Sequence, residues 1–230
     1  MTSQAPADLP NDAIDRVSTP RRAPSQRRSR ERLERLLAAA SRLIEESGSD
    51  VMRMSDVAEL AGVSIGSLYQ YFPDKAAIIR TLAERFNAGG RACVETSLAR
   101  VRDENDLRAE LEEIVDGYYA MFLAEPVMRD IWSGTQADKA LQEMDAVEGR
   151  VHGNMLLQVL MRLRPTADRT ELSTATFLLM HLMEATVRLA ISVDRAEGDA
   201  LIAAFKHIML NEIQPAEMPR IDDRHANATP

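Results

Sequence analysis

Residues 53–86, RMSDVAELAGVSIGSLYQYFPDKAAIIRTLAERF, decide the fold. The stretch reads as two short helices hinged at Gly62, followed by a third that opens at Asp74. Ser55 to Ala61 makes the first helix, with Val57, Ala58 and Ala61 on its buried side. Gly62 takes the positive φ that a tight inter-helix turn needs, and Val63 plugs the angle between the helices. Ser64 is a good N-cap for a second helix over Ile65 to Phe72. Pro73-Asp74 breaks the chain and restarts it, with Asp74 capping a helix from Lys75. Such a pair is a helix-turn-helix, and its second helix is shaped to enter a DNA major groove.

The run GVSIGSLYQYFPDK, with DVAELA before it, resembles the DNA-binding domain of the tetracycline-repressor (TetR) family. The turn Gly62-Val63-Ser64, the Leu68-Tyr69 pair, Tyr71-Phe72 and Lys75 all stand at that family's spacing. The resemblance is close over residues 27 to 86; beyond them it lies in length and helical pattern. It implies a dimeric regulator whose helical body senses a small molecule.

Composition agrees with an all-α chain. Ala, Leu, Arg, Glu and Met dominate its 230 residues, aromatics are 4%, and alternating strand patterns are scarce. The net charge of −8 argues at first against DNA, but its distribution along the chain points the other way. Residues 16–90 carry a net +4 and residues 91–230 a net −9. A basic end on an acidic body suits a reader whose DNA face is confined to one lobe. The single cysteine, Cys93, excludes an intrachain disulfide and a multi-cysteine zinc site. His152, His181 and His207 form no HxxxH or HExxH pattern, so no metal or other cofactor is expected. No enzyme motif appears: the chain lacks a GxSxG elbow, a GxGxxG turn, a GxxxxGK loop and a CxxC pair. With no apolar leader and no membrane-spanning run, the expected location is the cytoplasm.

Four regions follow. Residues 1–26, with Pro6, Pro10, Pro20 and Pro24, make a disordered arm with a basic end. Residues 27–74 are the helix-turn-helix domain, 75–214 the regulatory and dimerisation body, and 215–230 a disordered tail. A first helix from about Ser25 to Ser47 carries the apolar stripe Leu33, Leu36, Leu37, Ala40, Leu43 and Ile44, with Gly48 following as its C′ residue. The helix from Lys75 is expected to reach about Arg102, with a soft point at Gly89-Gly90. Further helices span Leu107–Ala124, Val127–Ser133, Asp138–Leu163, Thr170–Val193 and Glu197–Ile213, about nine in all.

At the DNA end, Ser64, Ser67 and Gln70 offer donors and acceptors to base edges, and Gln suits adenine. Gly66 permits close approach, and Ile65 offers a thymine-methyl contact where the family often has a polar residue. The resemblance implies that Tyr69, Tyr71 and Lys75 contact phosphates. Arg27 and Arg28 can follow the backbone or the minor groove. Arg53 stands where the family has a small hydroxyl cap, so Ser55 is expected to cap and Arg53 to reach a phosphate.

In the body, the last two long helices are apolar on nearly all sides and fit a four-helix homodimer seam. Tyr118, Met121, Phe122, Met128, Trp132, Gln136, Met155, Met180 and Met183 are the expected lining of a site for an apolar or amphipathic ligand. Trp132 with Gln136, near Asp130 and Asp138, is its expected centre. Glu184 and Arg188, at i and i+4, read as a surface pair. The expected function is a repressor released from a pseudo-palindromic operator by a ligand. The alternative is an activator or architectural DNA-binding protein of the same fold with no small-molecule input.

Overall fold

The structure, a computed structural model, describes residues 22–135 and 138–213. The arm up to residue 21, Gln136 and the tail from 215 lie outside the described residues. The described chain forms nine helices: α1 Arg22–Ser47, α2 Met54–Leu60, α3 Ile65–Tyr69, α4 Lys75–Ala99, α5 Glu104–Ala124, α6 Pro126–Thr135, α7 Lys139–Leu163, α8 Arg169–Ala190 and α9 Arg195–Ile213.

Local chemistry fixes most boundaries where the sequence places them. Gly48 and Gly62 adopt φ of 85° and 66°, the left-handed region open to glycine, and so end α1 and α2. The Ser64 side chain accepts from the Ser67 N–H, and Asp74 accepts from the Ala77 N–H at 2.7 Å. Asp103, Asp138 and Asp168 cap α5, α7 and α8 in the same way.

Several boundaries differ from expectation: α1 begins at Arg22, inside the segment read as a disordered arm to residue 26, and α5 and α8 each shift by three residues at one end. Three further differences have local causes. Helix α3 stops at Tyr69, and Tyr71 and Phe72 both turn back onto the Leu68 carbonyl. Pro73 explains this, because the residue before a proline is driven out of the helical region. Helix α4 runs unbroken through Gly89-Gly90 and ends at Ala99, since Asp103 starts a new helix four residues on. Ser55 is not a cap: Arg53 holds the N-cap position of α2 with no side-chain bond, and the Ser55 hydroxyl donates to the Asp56 carboxylate.

Two apolar cores organise these helices. The N-terminal core gathers Leu36, Leu37, Ala40 and Ile44 of α1, Val57 and Ala58 of α2, Leu68 of α3 and Phe72. It also takes Ile78 and Leu82 from α4 and Val127 and Ile131 from α6. The body core is built from α5, α7, α8 and α9 around Phe122, Leu156, Leu160, Val187 and Met209. Phe86 of α4 packs against both cores.

Bidentate ion pairs brace the elements: Arg85–Glu34 joins α4 to α1, Arg91–Glu148 joins α4 to α7, and Arg164–Glu104 joins α7 to α5. Fork-to-carboxylate geometry makes these stronger than ordinary surface pairs.

Candidate nucleic-acid interface and body cavity

Helix α3 divides cleanly by exposure. Leu68 is fully buried and Phe72 nearly so, which anchors the helix from beneath. Ser64, Ile65, Gly66, Tyr69 and Gln70 are exposed, and Ser67 and Tyr71 are half-buried. Two large side chains, Ile65 and Tyr69, thus stand in solvent on a five-residue helix. The adjacent end of α1 lies against it: Ser29 Oγ is 3.0 Å from the Tyr71 hydroxyl, and Arg32 Nη1 donates to Ser67 Oγ at 3.4 Å. Arg27 and Arg28 are exposed on the same helix, Arg27 beside Glu31 at 3.3 Å. Arg53 is exposed at the start of α2.

Arg32 was not among the sequence-predicted contacts. Its i, i+3 spacing from Ser29 is visible in the chain, but its nearness to α3 is a tertiary fact.

Lys75 has an unexpected occupation. Its ammonium donates to the carbonyl oxygens of Ser49 and Asp50 at 2.9 and 2.8 Å. It therefore pins the start of α4 to the α1–α2 connection instead of standing free.

The body holds a small cavity of about 40 Å³, which has room for at most a few waters. Tyr118, Phe122, Met128 and Trp132, four of the residues read as a ligand lining, border it together with Phe86, Leu141, Asp145 and Glu184. Met180 and Met183 are buried in the body core, and Met121 and Met155 pack against it, because their helical positions face the α5, α7, α8 and α9 contacts. None of the four lines this cavity. The Phe122 and Trp132 rings lie 4.2 Å apart, and Tyr118 meets both edge-on at 5.0 and 6.1 Å.

The polar partners of Trp132 differ from those expected. Asp130 turns away and accepts the Ser49 N–H, while Asp138 caps α7. The Trp132 indole N–H donates instead to Asp145 at 3.2 Å. Nor are Glu184 and Arg188 a surface pair. The Glu184 side chain is only 14% exposed, and the Arg188 guanidinium lies 4.5 Å from the centre of the Trp132 ring. Arg188 Nε is buried without a hydrogen-bond partner.

Burial, with the Asp145 and Glu148 charges adding and Arg188 opposing, raises the Glu184 pKa to about 8. Burial also raises Asp145, against the Trp132 hydrogen bond and Arg188, and lifts the Tyr118 phenol well above its usual value. An open cleft of about 680 Å³ adjoins the cavity, lined by Gln142, Asp145, Ala146, His181, Glu184 and Arg188 among others.

Helix α6 connects these two places. Val127 and Ile131 sit in the N-terminal core, and Asp130 holds the Ser49 amide beside Gly48. From the same helix, Met128 and Trp132 face the body core and its cavity.

Residues 36–82 match the description "Bacterial regulatory proteins, tetR family", and residues 105–216 match "Tetracyclin repressor-like, C-terminal domain". The chain belongs to the TetR family. It is 27% identical over 118 residues to the HTH-type transcriptional regulator YvdT of Bacillus subtilis (strain 168), covering 50% of this chain and 58% of that protein. It is 38% identical over 63 residues to the repressor KstR of Rhodococcus jostii (strain RHA1), covering 27% of this chain and 30% of that one. The match thus spans little over half of the first relative and under a third of the second. Among solved structures, the fold resembles the TetR-family repressor FadR of Thermus thermophilus, solved with lauroyl-CoA. That likeness has a TM-score of 0.59 at 18% identity and covers 81% of this chain and 97% of that one. No described helix of this TetR-family chain is long and apolar enough to cross a membrane.

Proposed function

We propose that this TetR-family regulator is a cytoplasmic, dimeric repressor whose operator affinity falls when a small molecule enters the body. The observation that carries the reading is the double attachment of α6. Val127, Asp130 and Ile131 hold the DNA-binding lobe, while Trp132 and Met128 border the cavity. A ligand that moves Trp132 moves a helix whose other face is part of the lobe's core. Close-packed interiors transmit such shifts and do not absorb them.

The DNA face comprises Ser64, Ile65, Gly66, Ser67, Tyr69 and Gln70 on α3, with Tyr71, Arg53, and Arg27, Arg28 and Arg32 of α1 beside it. Lys75 serves it by holding the frame. Dimerisation uses α8 and α9, where Leu178, Leu182, Leu189 and Ile208 are large apolar side chains left exposed on the single chain. On α8, residues 178, 182, 185 and 189 follow the i, i+4, i+7, i+11 spacing of one helix face. Two recognition helices about 34 Å apart then read half-sites one turn apart.

The test begins with selection of duplexes from a random library. The expected product is a pseudo-palindrome with one-turn half-site spacing. Operator affinity is then measured with and without ligand, with an expected loss of about 5- to 150-fold. No enriched site at low salt would remove the operator reading. A ligand bound at Trp132 with unchanged operator affinity would leave a DNA-binding protein without small-molecule control.

A further inference from the structure

The small cavity and the open cleft share two walls, Asp145 and Glu184. Between them lies the Arg188 guanidinium, stacked 4.5 Å over the Trp132 ring and lining the cleft. The chain thus already keeps a cation on an aromatic face flanked by carboxylates, the arrangement by which proteins recognise organic cations. Arg188 is poorly satisfied there, with its buried Nε unpartnered. Glu148 and its neighbour Arg91 are committed to each other at 2.7 and 2.8 Å, so Glu148 is not a free second anchor. The cleft wall is apolar at Ala146, and at Ala185 and Leu189, which also lie on the α8 face proposed for dimerisation, so in the dimer the cleft borders the seam.

We propose that the cleft takes an organic monocation with an apolar body, whose charge replaces the Arg188 guanidinium over Trp132 between Asp145 and Glu184. The 40 Å³ cavity is too small for such a molecule as it stands. Outward rotation of Arg188 joins it to the 680 Å³ cleft, which is large enough. Arg188 moves aside without leaving the cleft it lines, so the incoming cation adds a positive charge beside Asp145 and Glu184. An anion placed there meets Asp145 and Glu184 directly.

Entry of a cation also changes a protonation state. The groups facing Glu184 are Tyr118 from α5, Asp145 and Glu148 from α7, and His181 and Arg188 from its own helix. Burial keeps its carboxyl protonated in the free protein at neutral pH, and an arriving cation that leaves Arg188 nearby favours the carboxylate. Binding therefore releases protons.

This rests on the ligand-responsive reading, and the test separates the two. Trp132 is the only tryptophan of the chain, so its fluorescence reports on this site alone. The full-length protein is titrated with tetraphenylphosphonium and, separately, with tetraphenylborate, two ions of one shape and opposite charge. The expected result is saturable quenching by the cation only. Asp145→Asn weakens it by about tenfold or more, and Arg188→Ala, which removes the resident competitor, strengthens it. At pH 7 the binding enthalpy depends on the ionisation enthalpy of the buffer, and in Glu184→Gln that dependence disappears.

Equal or tighter binding of tetraphenylborate overturns the proposal and makes Arg188 an anion receptor. So does failure of the cation to quench, or cation binding without proton release. If tetraphenylborate alone binds and releases operator, ligand control stands and only the cation assignment falls. If the cation binds as described while operator affinity stays constant, the site stands and ligand control falls.

Discussion

The two lobes treat buried polarity in opposite ways. Among the described residues, the buried polar and charged ones (Ser97, Glu148, His152 and Thr176) all lie outside the N-terminal core, whose buried members are apolar. The body also keeps Glu184 and Asp145 largely withdrawn from water and Arg188 Nε without a partner. An apolar core is committed to one packing, because its energy depends only on shape and area. A core with ionisable groups has an energy that depends on protonation and on which cation is near. Under the proposed function, the difference gives rigidity to the lobe that fits DNA and responsiveness to the lobe that changes.

The sharpest way to break this contrast is to substitute one residue on each side. Leu68→Ala removes a fully buried side chain from the small core and is expected to cost about 2–5 kcal/mol, seen as a lower urea midpoint with loss of operator binding. Glu184→Gln should do the reverse and stabilise the protein. In the folded chain Glu184 holds its proton up to about pH 8, whereas the unfolded chain releases it near 4.5. Stability is therefore lost as pH rises from about 4.5 to 8, and the glutamine escapes that loss. The expected gain is about 3 kcal/mol at pH 7, close to none at pH 4.5, measured by urea unfolding at both values. A variant that destabilises at pH 7 would mean that Glu184 is a satisfied core residue, and the contrast would fail.

Lys75→Met tests whether the lobe's charges are structural or directed at DNA. Losing both carbonyl contacts should cost about 1–3 kcal/mol in stability. The log–log salt slope of operator binding should not change, whereas loss of a phosphate contact would reduce it by about 0.9. The smallest expected effect belongs to Asp130→Asn, about 1 kcal/mol in stability from weakening a charged bond to the Ser49 amide. Its more telling readout is the ratio of operator affinities with and without ligand, which should shrink toward one.

The legibility of the chain follows the same division. Gly62, Ser64 and Asp74 act within a few residues of themselves, so their roles were visible in sequence and appear in the structure. Trp132 and Tyr118 stand out in sequence as large aromatics in an otherwise aromatic-poor chain, and both border the small body cavity. The partners were missed because they come from other helices. Spacing makes Glu184 and Arg188 neighbours on α8 but cannot tell that Trp132 of α6 and Asp145 of α7 stand over them. Asp130 and Asp138 were the nearer carboxylates in sequence, and both are occupied elsewhere. Lys75 matched the family pattern, but sequence alone cannot tell that the Ser49 and Asp50 carbonyls would come within reach.

Because Val127 and Ile131 complete the N-terminal core, the helix-turn-helix is not a cassette that ends where α4 begins. A hybrid regulator made by exchanging only the first four helices with a relative would juxtapose a foreign core with an unmatched α6 surface. Swapping specificity between regulators of this build requires Val127, Asp130 and Ile131 to travel with the DNA-reading segment, although some fifty residues of chain separate them from it.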